Sequence, residues 1–219
     1  MGASPAPTTI SAPRFTVPNI PRILVYVVSL LPAAWLFYLA FTDQIGADPV
    51  AQLEWGLGLW ALRFLIATLC ITPLRQLCKI NLLRYRRAFG LVAFYYVLLH
   101  LSVWVVLDRG VDLHAALLDI LRRPYITIGV AAFVLLVPLA VTSNNWSIRE
   151  MGGKAWAKLH KLSYPAAALG ALHFIMIKKV WLVEPVVYAA IVLILLGFRV
   201  VWPMIGGKKP KRRQAAMMP

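Results

Sequence analysis

Four histidines, His100, His114, His160 and His173, stand in a chain of 219 residues that carries only eight acidic side chains. Three of them, His100, His160 and His173, fall inside or at the edge of long apolar runs. Ionisable groups at membrane depth are costly and mark functional positions. A neutral imidazole is also the commonest metal ligand and a frequent axial ligand of haem iron. His100 and His173 lie at similar depth in two different runs, so one imidazole from each could close on the two faces of a single haem. His160 precedes His173 by 13 residues. On a straight helix that is about 20 Å along the axis and about 140° around it. Sharing one face needs a kink, which the intervening Pro165 can supply. The spacing suits two stacked cofactor levels better than two ligands of one ion. The competing reading makes each a bundle histidine, hydrogen-bonded to Ser, Thr or a carbonyl. Matched depth on separate helices moves the balance toward ligation.

Other side chains fit the same chemistry. Ala166, Ala167, Ala168, Gly170 and Ala171 precede His173 and leave room for a flat ring, or equally for close helix packing. Met176 offers a thioether as an alternative axial ligand, its plainer reading being a core filler. Arg63 is the one cation well inside an apolar run. It is either a partner for a haem propionate or flavin phosphate, or a side chain that snorkels to the interface. Arg84, Arg86 and Arg87 could hold a phosphate or propionate, or serve only as topology charges. His114, beside Asp112, reads as a surface residue.

The elements that must position these groups are membrane helices. Hydrophobic residues make up 61% of the chain and charged ones 14%. Soluble domains have about 45–50% and about 25%. A cytosolic enzyme and a disordered chain are thereby excluded. Cys70 and Cys78 give neither a disulfide scaffold nor metal-ligand spacing. Six apolar blocks, at 23–42, 55–74, 88–107, 125–143, 159–177 and 185–203, are each long enough to cross a bilayer core of about 30 Å. The expected fold is an all-α six-transmembrane-helix bundle over 22–205, after a disordered N-terminal tail (1–21) and before a basic tail (206–219). Pro32, Pro73, Pro138 and Pro165 are candidate kinks.

Basic residues fix the orientation. With both termini cytoplasmic, 17 Lys and Arg face the cytoplasm and 5 face out, the positive-inside arrangement. Seven acidic residues then face out, leaving Glu150 inside. The net charge of +15 is explained by this topology, and nucleic acid is not an expected partner. No glycine-rich dinucleotide turn and no phosphate-binding lysine loop occurs; Gly56-Leu-Gly58 lacks the third glycine. Electrons for any redox chemistry must come from a membrane pool, a flavin or another protein.

Several stretches together resemble the MsrQ family, the haem-binding membrane subunits of the bacterial protein-methionine-sulfoxide reductase system, in the ferric-reductase-like transmembrane superfamily. They are Ile45–Val50, Ile71–Arg75, Arg84–Leu91, Leu99–Leu101, Arg123–Gly129, Thr142-Ser143 and Leu159–Tyr164. Their order and spacing carry the resemblance from the first helix to the end of the sixth. It implies an inner-membrane protein with haem b (one or two) and FMN. Its electrons come from the membrane quinone pool and go to a periplasmic molybdopterin-containing methionine-sulfoxide reductase. It implies His100, His160 and His173 as haem histidines. Two-haem relatives carry a second histidine on the third helix, where this chain has Arg86 and Arg87. The ligand opposite His160, and so the haem count, stays open. A metal-chelate reductase and a haem-free transporter or scaffold are the alternative functions.

Overall fold

The computed structural model describes residues 20–177 and 182–205, and among these it is wholly helical, without a strand. The elements are α1 (Arg22–Phe41), α2 (Pro49–Leu77), α3 (Arg86–Val103), α4 (Leu113–Arg122), α5 (Pro124–Val141), α6 (Asn145–Met151), α7 (Gly153–Leu159), α8 (Ser163–Met176) and α9 (Val183–Ile205). A π-helical turn, Trp104–Asp108, extends α3, and 3₁₀ turns at Leu83–Tyr85 and His160–Leu162 lead into α3 and α8. The expected tails, apart from Ile20 and Pro21, lie outside the described residues, as do Lys178 and Lys179.

Local chemistry sets the helix starts. Asp48 caps α2 by accepting from the Ala51 amide at 3.0 Å, with Pro49 in the first helical position. Asp112 caps α4 through Ala115 N at 2.9 Å, and Asn144 caps α6 through Ser147 N at 2.7 Å. The segments expected as the third and fourth loops therefore contain short helices, α4, α6 and α7. Their apolar runs are too brief to read as spans. On α4, Leu113, Leu117 and Leu121 make an exposed apolar stripe, the pattern of a helix lying along an interface.

Among the described residues, five helical stretches are long and apolar enough to cross a membrane: α1, α2, the continuous stretch Leu83–Asp108, α5 and α9. The expected fifth block, 159–177, is interrupted. Its regular part, α8, has 14 residues, about 21 Å, short of a core of about 30 Å. Pro165 is the physical reason. It has no N–H to continue a helical ladder, so it is accommodated in the first turn of α8, and the chain before it tightens into the 3₁₀ turn.

Two apolar clusters join the helices. One packs Leu62, Leu65 and Leu69 of α2 against Leu136 of α5, Phe174 of α8 and Val192 of α9. The other packs Ala33 of α1 and Leu57 and Ala61 of α2 against Val92 and Tyr96 of α3. Pro32 interrupts the ladder of α1, and Tyr96 repairs it. The phenol donates to Ser29 O at 2.6 Å and accepts from Ala33 N at 3.0 Å, with Tyr96 only 1% exposed. Outward faces of α1 and α9 are apolar, as a lipid-facing surface requires.

Candidate cofactor site

His100, late in α3, and His173, late in α8, face each other across the bundle. Their ring centroids are 6.2 Å apart and their planes are inclined at 74°. Each imidazole is fixed by its Nδ1. His100 Nδ1 is 2.8 Å from the backbone carbonyl of Glu54 on α2, and His173 Nδ1 is 2.7 Å from that of Tyr125 on α5. A carbonyl can only accept, so Nδ1 carries the proton in both rings and donates. Nε2 is left with a lone pair, the form that binds a metal, and the carbonyl acts as the outer support that orients the ligand. Two imidazoles held in this form and this close together are residues that could hold a metal-centred cofactor.

Two glycines make these positions available. A Cβ on Gly58 would lie 3.3 Å from His100 Nδ1, and one on Gly129 would lie 2.9 Å from His173 Nδ1. Each glycine sits four residues, one helical turn, after the residue whose carbonyl receives the imidazole. The antiparallel pairs α2–α3 and α5–α8 thus use one device twice: a carbonyl, a gap one turn later, and a histidine lying in that gap.

Between the imidazoles lies a cavity of about 370 Å³. Its walls are apolar, with Leu65, Leu136 and Phe133 among them, and Ala166 and Gly170 keep the α8 wall low. Ala166, Ala167 and Ala171 also pack in the core. The charged lining residues are Glu54, Asp108, Arg109 and Arg123. Arg109 pairs with Asp108 at 2.8 Å and with Asp119 at 2.9 Å, and Asp119 holds Arg123 at 3.1 Å. Two buried atoms at this rim, Arg109 Nε and Glu54 Oε1, have no hydrogen-bond partner. Sequence reading gave Arg109 and Arg123 no place in a site. It likewise missed Gly58 and Gly129, whose adjacency to the histidines exists only in the fold.

The remaining sequence candidates lie elsewhere. His160, in the 3₁₀ turn before α8, does not line the cavity. Its Nε2 is 3.1 Å from Thr142 Oγ1 and its ring stacks on Trp156 at 3.8 Å. Arg86 is near enough for its charge to act on His160. Arg87 donates to Asn145 Oδ1 at 2.7 Å. Arg63 donates from Nε to the Tyr188 hydroxyl at 2.8 Å and lies over the Trp60 ring, outside the cavity lining. Met176 is 39% exposed and is not among the residues lining this cavity. Cys70 and Cys78 are free thiols.

These residues fit a planar ligand with metal-binding faces and acidic edge groups. Both imidazoles line the cavity with Nε2 left free of the carbonyl bonds, most of the other lining residues are apolar, and the charged ones are Glu54, Asp108, Arg109 and Arg123. The family described as the ferric reductase like transmembrane component matches residues 55–171, more than half of the chain. That span holds His100 and His160 and ends two residues before His173. The chain is 56% identical over 190 residues to the protein-methionine-sulfoxide reductase heme-binding subunits MsrQ of Brucella ovis and Brucella canis, covering 87% of this chain and 86% of theirs. The corresponding subunit of Brucella melitensis is equally similar.

Proposed function

Because the chain belongs to the ferric-reductase-like transmembrane family and, within it, to the MsrQ subunits, we propose that it is a haem-carrying electron-transfer subunit. In this reading it takes electrons from the quinone pool of the bacterial inner membrane. It passes them to a periplasmic molybdopterin-containing methionine-sulfoxide reductase that repairs oxidised proteins. The observation that carries the reading is the imidazole pair, 6.2 Å apart with both Nδ1 atoms tied to carbonyls.

His100 and His173 would hold a b-type haem. The cofactor supplies one-electron carriage, and the chain supplies ligands, orientation and a dry setting. Glu54 O and Tyr125 O fix the tautomer. Leu65, Phe133 and Leu136 exclude water. The charged rim lies at the acid-rich end, which becomes the periplasmic end under the positive-inside rule. The bundle then has six spans with both termini cytoplasmic, the 3₁₀ turn and α8 forming the short fifth one. His160, Arg86 and Arg87 form an inner level, where cations face an FMN phosphate or the propionates of a second haem. Arg63 is a further cation available to an anionic cofactor group.

The test is the reduced-minus-oxidised spectrum of purified protein. Wild type gives a low-spin b-type spectrum, and His100→Ala and His173→Ala each lose it. Full retention in both variants rejects the assignment. Electron transfer to a purified periplasmic methionine-sulfoxide reductase separates this function from metal-chelate reduction.

A further inference from the structure

We infer that Arg109, steadied by Asp119 and accompanied by Arg123, is the receptor for the porphyrin's propionate carboxylates and thereby fixes which way round the haem sits. The inference rests on the haem reading above and deepens it. A b-type haem is amphiphilic, with one edge bearing two carboxylates and the opposite edge apolar. An unpaired carboxylate in an apolar setting is strongly disfavoured, so this edge must meet donors.

Apart from the histidines, the cationic residues among those lining the cavity are Arg109, just past the π-helical turn, and Arg123, just past α4. Leu65, Leu136 and Ala166, which also line it, are apolar. Arg109 is held by ion pairs, Nη2 with Asp108 at 2.8 Å and Nη1 with Asp119 at 2.9 Å. A guanidinium steadied on two sides still has Nη hydrogens to offer a further acceptor at low entropic cost, beside the Glu54 and Asp108 carboxylates that line the same cavity. Asp119 also holds Arg123. Arg123 is two residues before Tyr125, whose carbonyl steadies His173, so the rim and one axial ligand share a short piece of chain.

The decisive probe compares haem b with its dimethyl ester, which keeps the iron and ring but has no free carboxylate. Apoprotein is titrated with each ligand and followed by the bis-imidazole absorbance. Wild type binds haem b about tenfold to a hundredfold more tightly than the ester, the range for a charged hydrogen bond. In Arg109→Gln the haem b affinity falls to the ester level, while the ester binds as it does to wild type. The midpoint potential of the haem b form also drops, because a cation that favoured the reduced state has gone. Equal affinity of wild type for both ligands overturns the inference, without any variant having to fold. So does an Arg109→Gln protein that keeps the haem b advantage or loses both ligands equally. If neither ligand gives a bis-imidazole spectrum with wild type, the haem reading itself fails.

Discussion

Gly129→Ala sets two effects of opposite sign against each other at one atom. Within a helix, alanine is favoured over glycine by about 1 kcal/mol, so by propensity alone the variant of α5 is stabilised. At Gly129, however, the new Cβ lies 2.9, 3.0 and 3.2 Å from Nδ1, Cε1 and Cγ of His173. Ordinary contact begins near 3.4 Å, so the ring must retreat by roughly half an ångström. It is not free to do so, because its Nδ1 is bonded at 2.7 Å to Tyr125 O on the same helix. Retreat stretches that bond and changes the placing of the ring relative to His100. Loss of such an outer support costs about tenfold to a hundredfold in metal affinity. Gly58→Ala is the internal control, since its nearest contact with His100 is 3.3 Å and a shift of a tenth or two relieves it. The assay pairs haem titration with thermal unfolding of the apoprotein. The expected order of haem affinity is wild type, then Gly58→Ala, then Gly129→Ala, with apoprotein stability level or raised in both. Wild-type haem affinity in Gly129→Ala, or a larger loss in Gly58→Ala, would falsify the packing argument.

Three further outcomes follow from particular contacts. Tyr96→Phe leaves Ser29 O and Ala33 N unpaired in the interior beside Pro32. It should lower stability by about 1–3 kcal/mol in denaturant unfolding without changing the haem spectrum. Arg199 joins three helices through bonds to Thr72 Oγ1, Leu69 O and Tyr164 OH. Arg199→Met should therefore loosen the α2–α8–α9 contact, seen as faster exchange of the α9 amides, and leave haem stoichiometry intact. The 74° angle between the imidazole planes predicts a strongly anisotropic low-spin EPR signal in the oxidised protein. A nearly parallel-plane rhombic signal would show that the rings turn when the site fills.

The pairing of His100 with His173 was legible because it depends on two quantities a sequence carries, depth in a span and separation into different spans. Gly58 and Gly129 were not legible as imidazole berths, because what identifies them is a neighbour 42 or 44 positions away. Gly58 even drew the eye for a different chemistry, as part of a failed dinucleotide turn. Arg63 stood out as a charge in an apolar run, and the fold gives it Tyr188, a partner only the docking of α9 could supply. Arg109 and Arg123 looked like loop charges because a π-helical turn and the capped helix α4 were needed to fold them over the cavity. Composition announces the spans, but the interruption of the fifth comes from one residue, Pro165, whose effect depends on where its missing amide falls.

That each imidazole donates its proton to a main-chain carbonyl has a bearing on how the site tolerates mutation. The two acceptors belong to the main chain, at Glu54 and Tyr125, so a change of either side chain leaves its carbonyl in place. The supports of both imidazoles are thereby sheltered from most point substitutions at the residues that supply them.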